Sequence, residues 1–269
     1  MLHFTKMNGA GNDFVLLDNR DATLHLSPSA IAKLCDRHRG IGADGLLMVE
    51  PAREGADYRM RYFNADGGEA EMCGNGARCF GRFAALIGNK TGSVSFETMA
   101  GRITAHLRGS QVQIAMSKPH SLAPAATLDV AGSQLDVHFV NTGVPHAVVW
   151  VDDLEATNVR ALGAGLRYHP HFAPKGTNAN FAKVLGPGSI AIRTYERGVE
   201  DETLACGTGM VASALIAHQC FSTTSPVSVL VRGGDTLEVA FEHSAQGYDN
   251  VQLTGPADFV FEGSVELPA

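Results

Sequence analysis

The 269-residue chain has no run of about 18 apolar residues, no charged-then-apolar leader at Met1, no C-x-x-C pair and no regular spacing among its five cysteines. The first absence speaks against a membrane-spanning helix and the second against a secretory address. The last two speak against a disulfide-stapled scaffold and a dithiol redox motif. A soluble protein of a reducing compartment is expected, with the cytoplasm as its location. Basic residues are also scarce. Lys and Arg number 21 against 28 Asp and Glu, the net charge is −7, the sequence pI is near 5.8, and no basic stripe gathers them. Nucleic acid is therefore not an expected partner, and no membrane association is expected either.

What the chain does have is a repeated turn. Met72-Cys73-Gly74-Asn75-Gly76-Ala77-Arg78-Cys79 is echoed by Ala205-Cys206-Gly207-Thr208-Gly209-Met210, and the leading cysteines lie 206 − 73 = 133 residues apart, about half the chain. Sliding the sequence over itself by that offset without gaps also pairs Tyr62 with Tyr195, Glu69 with Glu202, Ala84 with Ala217, Val94-Ser95 with Val227-Ser228 and Gly101 with Gly234. In all, 10 of the 40 positions from 62 to 101 match, where unrelated sequences of average composition would share roughly two or three. The pattern is that of an internal duplication.

In chain order, residues 2–18 read as strand, polar turn and strand. Ser27-Pro28 is an N-cap followed by Pro at the first helical position, which predicts two to three turns of helix through Cys35. Gly40-Ile41-Gly42-Ala43-Asp44-Gly45 matches G-x-G-x-x-G in form, but a helix precedes it and a strand at 46–49 follows. A dinucleotide site needs the opposite order and is rejected. A strand at 58–63 and a turn at 64–68 lead to the first Cys-Gly motif. The segments following both motifs are apolar on almost every side, as in buried central helices. Strands follow at 93–98, 102–107 and 111–116, and again at 227–231, 236–241 and 250–253. Residues 118–126, with two prolines, read as a linker. It divides the chain into halves at 1–118 and 119–254, with 255–269 a candidate strand returning to the first half. The expected class is α+β. Each half is expected to wrap its strands around a central helix.

A Cys-Gly-x-Gly turn at a helix start has chemical uses. The glycines let backbone approach a ligand, the first turn offers N–H groups, and the positive end of the dipole favours a thiolate or a carboxylate. A cysteine with pKa near 8.5 can move to about 3.5 to 7.5 in such a place. Two such turns facing one carbon from opposite sides would let one thiolate remove a proton while the other thiol delivers one, inverting the centre. Cys73 and Cys206 could instead be ordinary buried cysteines, but recurrence in both halves with the glycines favours chemistry. Cys35, Cys79 and Cys220 lack that context and are expected in the core.

Lys6-Met7-Asn8-Gly9-Ala10-Gly11-Asn12-Asp13-Phe14, Phe63-Asn64-Ala65-Asp66-Gly67, the two Cys-Gly turns, Thr177-Asn178-Ala179-Asn180-Phe181 and Tyr195-Glu196-Arg197-Gly198 run in order along nearly the whole chain. In these motifs the sequence resembles diaminopimelate epimerase. The resemblance implies a cofactor-free enzyme that interconverts LL- and meso-diaminopimelate, usually as a homodimer. It also implies two pseudo-symmetric domains, each a mixed, mainly antiparallel, β-barrel-like sheet around a central helix, with the active site in the cleft between them. It implies Cys73 and Cys206 as the acid/base pair, with Gly74-Asn75 and Gly207-Thr208 at the reacting end. Asn12, Asn64, Asn178, Glu196 and Arg197 are implied as further substrate contacts, and His146 and Glu196 as residues that tune the cysteines. The shift of 133 sets Asp13 opposite His146, Gly45 opposite Asn178, Phe63 opposite Glu196 and Asn64 opposite Arg197. Unlike pairs of this kind suit a distal substrate end that is read as one hand only, with Arg197 as the bidentate partner of its carboxylate.

The chain departs from the resemblance in two places. Some members carry Gln where Gly45 stands, and many carry Gly-Asn-Pro-His where this chain has Gly143-Val144-Pro145-His146. Val144 has no side-chain hydrogen bond to offer, which makes Asn141 a candidate replacement. Two competing readings are a proline or hydroxyproline racemase of the same fold and a thiol redox or small-molecule binding protein. His169-Pro170-His171 invites a metal reading, but without an acidic or cysteine partner a solvated loop is expected.

Overall fold

The computed structural model describes residues 1–266 and resolves two compact units, one made of residues 1–114 with the segment from 255 onward, the other of residues 115–254. The first opens with an antiparallel hairpin of β1 (Leu2–Gly9) and β2 (Asn12–Asp18). Next comes α1 (Pro28–Cys35), whose N-cap Ser27 accepts from the Ala30 N–H at 3.2 Å. Then follow β3 (Gly45–Glu50), β4 (Tyr58–Asn64), the short β5 (Glu69–Ala70), α2 (Gly74–Ile87), β6 (Ser93–Thr98), β7 (Gly101–Arg108) and β8 (Gln111–Ala115). β3 runs parallel to β2 and β6 parallel to β4; the other pairings in this series are antiparallel. α2 packs against β1, β2, β3, β4, β6 and β7, which requires a curved sheet. Gly81 permits the closest approach, since a Cβ there would stand 2.4 Å from Cβ of Ala105 on β7.

The second unit repeats this plan. It contains β9 (His120–Val130), β10 (Ser133–Asn141), β11 (Pro145–Trp150), α3 (Val159–Arg167), β12 (Asn178–Gly186), β13 (Ser189–Glu196), β14 (Asp201–Thr203), α4 (Gly207–Phe221), β15 (Val227–Leu230), β16 (Thr236–Ser244) and β17 (Gly247–Pro256). The parallel pairs are β11 with β12 and β13 with β15, the counterparts of β2 with β3 and β4 with β6. α4 packs against β10, β11, β12, β13, β15 and β16, counterpart for counterpart. Its residues from Gly209 to Ala217 are all buried, as a helix that is apolar all round must be. Each unit carries one outer strand beyond the repeat. β9 lies antiparallel to β10, and β18 (Asp258–Val265) lies antiparallel to β1. Residues 267–269 of the candidate returning strand lie outside the described residues.

Four details of the sequence reading change. The linker expected at 118–126 is largely strand β9, and Pro124 is accommodated where the ladder to β10 slips between the pairs Val137–Ala126 and Phe139–Ala123. Each sheet curls around its helix, but among the described residues its two outer strands do not pair with each other, so "barrel-like" describes curvature and not closure. Cys220 is exposed, because it falls in the last turn of α4 beyond the buried stretch. Finally, the uniform offset of 133 drifts by one residue. The β1–β2 hairpin closes at Gly9–Asn12 and the β10–β11 hairpin at Asn141–Pro145, one residue longer. Likewise Phe14 pairs with Gly45, whereas its counterpart Ala147 pairs with Ala179 and His146 pairs with Asn178. The ladder therefore makes Asp44, not Gly45, the counterpart of Asn178.

Candidate active site

In the first unit, Cys73 is the N-cap of α2, in extended conformation at φ −135° and ψ 124°, and its carbonyl accepts from Ala77 N at 2.7 Å. A Cβ on Gly74 would meet nothing nearer than Ile114 Cδ1 at 4.0 Å, so packing does not require this glycine. A bare backbone at the helix start is what a close ligand requires. Asn75 is buried and its amide is oriented from both sides. Its Oδ1 accepts from Arg78 Nη2 at 2.9 Å, and its Nδ2 donates to Asn12 Oδ1 at 2.5 Å. Asn12 in turn donates through Nδ2 to Asp44 Oδ2 at 3.0 Å. Arg37 ties Asp44 to Asp13, donating to Asp44 Oδ1 at 2.7 Å and to both Asp13 oxygens at 2.9 and 2.7 Å, and Lys6 approaches Asp13 to 2.8 Å. Burial alone would raise the Asp13 carboxyl, but the hydrogen bonds from Arg37 and Lys6 outweigh it and hold the group well below the usual range. Asn64 stands apart from this network, exposed at the end of β4. Gly45 is enforced locally. A Cβ there would lie 2.6 Å from the Phe63 carbonyl and 2.8 Å from the Tyr62 ring, so Tyr62 fills the space a glutamine would need.

In the second unit, Cys206 is the N-cap of α4, at φ −126° and ψ 108°, buried, with Sγ 3.6 Å from Thr208 Oγ1. Thr142 Oγ1 donates to the Thr208 carbonyl at 3.0 Å and steadies the turn. Asn178 joins two other elements: its Nδ2 donates to the Pro145 carbonyl at 3.0 Å and its Oδ1 accepts from Arg197 N at 2.8 Å. Glu196 and Arg197 turn to different partners. Glu196 accepts from Thr203 Oγ1 at 3.0 Å, and burial raises its carboxyl, an effect Thr203 partly offsets. Arg197 donates from Nη1 to the Lys175 carbonyl at 3.3 Å and lines a cavity of about 510 Å³ together with Val144, Asn141, Phe139, Phe172 and Lys175. His146 is fully buried. Its desolvation, and secondarily the charge of Arg197, push the imidazole down to about 3, so it is neutral at physiological pH. Its Nδ1 lies 3.1 Å from Asn180 Nδ2.

The predicted residues thus form two groups. Asn12 and Asn75 are joined beside Cys73. Thr208 touches Cys206, while Asn178 is joined to Arg197. Residues that the sequence reading passed over complete these groups, namely Arg78, Asp44, Thr142, Thr203, Thr194 and Asn180. Asn180 could have been found, because two strand residues apart from Asn178 it shares that residue's face. His169-Pro170-His171 forms a 3₁₀ turn in which His169 Nδ1 accepts from His171 N at 3.2 Å. Among the described residues no cluster of three or more His, Cys, Asp or Glu is placed to hold a metal ion. No helix among them is long and apolar enough to cross a membrane.

Comparison with known proteins bears on this arrangement. The profile of the family described as diaminopimelate epimerase matches residues 4–121 and 138–260. The chain is 43% identical over 277 residues to the diaminopimelate epimerase of Aquifex aeolicus, covering 97% of each, and 42% identical over 265 residues to that of Chlorobaculum tepidum, covering 97% of this chain and 100% of the relative. Among solved structures it shares its fold with a Bacillus anthracis phenazine biosynthesis protein of the PhzF family, at TM-score 0.72 and 16% identity over 98% of both chains. It also shares it with a probable proline racemase from Agrobacterium radiobacter, at TM-score 0.71 and 17% identity, covering 100% of this chain and 94% of that one. With a family profile that covers both Cys-Gly turns and relatives matched over nearly their full length, the chain belongs to the diaminopimelate epimerase family.

Proposed function

We propose that the protein is a cofactor-independent, two-base epimerase that interconverts LL- and meso-2,6-diaminopimelate, with Cys73 and Cys206 as its acid/base pair. The observation that carries this reading is the repetition of one chemical device. In each unit a cysteine caps the N-terminus of the central helix, followed by Gly-x-Gly, on the same strand framework. One thiolate takes the α-proton and the opposite thiol delivers its own to the other face, so the centre inverts with no net change in protons or electrons. The N–H groups around Gly74-Asn75 and Gly207-Thr208 hold the α-carboxylate and stabilise the charge that develops on it. The reaction needs one cysteine as thiolate and the other as thiol at the start of each turnover.

Asn12, Asn64, Asn178, Glu196 and Arg197 are assigned to the remainder of the substrate. Arg197 faces a cavity, as a residue that clasps the distal carboxylate should. Asn141 lines the same cavity and supplies the polar side chain that Val144 lacks. His146 and Glu196 set the electrostatics of the reacting end. The family likeness extends the proposal to a homodimer working in the cytoplasm on this small-molecule substrate.

The test is α-hydrogen exchange in heavy water with LL- or meso-diaminopimelate, in the wild type and in Cys73→Ala and Cys206→Ala. Exchange coupled to epimerisation, with epimerisation abolished by either substitution, is expected. Exchange with proline and none with diaminopimelate would overturn the substrate assignment.

A further inference from the structure

Asn180, at the third position of β12, is buried, and each polar atom of its amide is engaged. Nδ2 donates to the Ala147 carbonyl at 2.9 Å and lies 3.1 Å from His146 Nδ1. Oδ1 accepts from Thr194 Oγ1 at 3.0 Å, across the β12–β13 ladder in which Asn180 and Thr194 are direct partners. This arrangement allows one assignment of the amide. A carbonyl oxygen only accepts, so the Asn180 atom facing Ala147 is the nitrogen, and the same nitrogen meets the imidazole. His146 Nδ1 must then accept, and in a neutral imidazole the proton sits on Nε2. Burial supports the neutral form. The Nε2 atom is itself buried and has no hydrogen-bond partner among the described residues, so it is a donor held ready for an atom from elsewhere.

The amide is also coupled to the Cys206 turn. A Cβ on Gly209 would come within 2.3 Å of Asn180 Oδ1 and 3.4 Å of Cys206 Cβ, which places the Asn180 amide against the first turn of α4. Glycine at 209 is therefore explained by the room this amide takes.

We propose that Asn180 is a positioning residue that locks His146 in its Nε2–H tautomer, so that His146 serves the reaction as a fixed hydrogen-bond donor and never as a proton acceptor. The consequence for turnover rests on the epimerase reading above; the tautomer does not. No proton moves through His146. Its N–H stabilises negative charge at the reacting end, whether on thiolate or on carboxylate, and the acid/base work stays with the cysteines.

The test is a ¹⁵N imidazole spectrum of the histidine-labelled protein, with the His146 signals identified by their loss in His146→Gln. The wild type is expected to show a protonated Nε2 and an unprotonated Nδ1 across neutral pH. Asn180→Asp, which replaces the donor with an acceptor, is expected to move the proton to Nδ1 and to lower kcat on the order of 10²-fold, the effect of losing one preorganised donor. Thr194→Val, a milder change that removes only the anchor of Oδ1, is expected to leave a mixture of tautomers and a smaller fall in kcat. A protonated Nδ1 in the wild type, or an Nε2–H tautomer unchanged in Asn180→Asp, would overturn the proposal. A reversed tautomer with undiminished kcat would overturn the donor's part in turnover. Because the spectrum needs no substrate, a wild type inactive on diaminopimelate sinks the functional reading separately.

Discussion

Asp13 in the first unit and His146 in the second occupy corresponding places on strands β2 and β11, yet their surroundings are opposite in kind. Asp13 lies among full charges, held by Lys6 and Arg37 and partly open to solvent. His146 is fully buried, with an amide as its hydrogen-bond partner and no ion pair among the described residues, the charge of Arg197 acting on it only secondarily. The same contrast runs along the ladder. Asp44 binds Asn12 in the first unit, while its counterpart Asn178 binds the carbonyl of Pro145, the residue that replaces Asn12, in the second. What both units keep is a cysteine at a helix N-terminus. What they vary are the polar side chains on β2 and ahead of β3 against those on β11 and β12. On the proposed reading, duplication preserved the part a proton transfer needs twice and released the part that would distinguish one face of a substrate from the other.

Acid should expose this difference most strongly. His146 has a folded pKa near 3 against about 6.5 unfolded. Above pH 6.5 it carries no penalty; as pH falls toward 3, the unfolded chain binds a proton that the fold refuses. Stability should then fall by about 1.4 kcal/mol per pH unit from this group alone, reaching a few kcal/mol by pH 4. His138 and His218, both lowered by burial, add in the same direction. The depressed Asp13 acts in a lower window, since its contribution is complete above about pH 3.9 and lost as acid protonates it below that. Urea unfolding across this range should show His146→Gln flattening the curve between pH 6 and 4 while Asp13→Asn leaves that region unchanged. Equal slopes in wild type and His146→Gln would break the comparison.

The second glycines of the two turns offer a comparison of intermediate size. A methyl on Gly209 meets Asn180 Oδ1 at 2.3 Å, whereas one on Gly76 meets the Phe14 ring at an ordinary 3.4 Å. Gly209→Ala is expected to cost about 1–3 kcal/mol through forced displacement, and Gly76→Ala less than about 1. Thermal or urea midpoints measure both, and a reversed order would mean that the two turns are backed differently from what the distances say.

The smallest effect concerns two asparagines of the first unit. Asn12→Ala breaks the Asn75–Asn12–Asp44 chain and should lower stability by about 1 kcal/mol. Asn64→Ala, at an exposed strand end, should stay within about 0.5 kcal/mol while raising KM for diaminopimelate. A KM unchanged by Asn64→Ala would remove that residue from the substrate.

Much of the candidate site was readable in the chain because its spacing is local. Cys-Gly-x-Gly ahead of an apolar run announces a buried helix with a reactive cap, and Ser27-Pro28 announces another helix start. The elements that escaped are those whose meaning depends on neighbours distant in sequence. Residues 118–126 carry prolines that argue against a strand, but an outer strand with a slipped ladder tolerates them. Cys220 is expected in the core because it lacks a Gly-x-Gly turn, yet it follows His218-Gln219 beyond the buried stretch of α4 and is exposed. Gly45 looks like a lost side chain until Tyr62 is seen in that space.

The sequence by itself determined the duplication, most strands and helices of the first half and those that follow the second Cys-Gly turn, and the placing of a cysteine at the head of each central helix, since repeats, caps and apolar periodicity are properties of adjacent residues. Tertiary structure alone decided which hydrogen each buried polar group presents. Asn75 is oriented by Arg78, and His146 by Asn180, itself held by Thr194 from the neighbouring strand. A buried amide or imidazole has no water to satisfy it, so its orientation and tautomer follow from whichever donors and acceptors the fold brings against it.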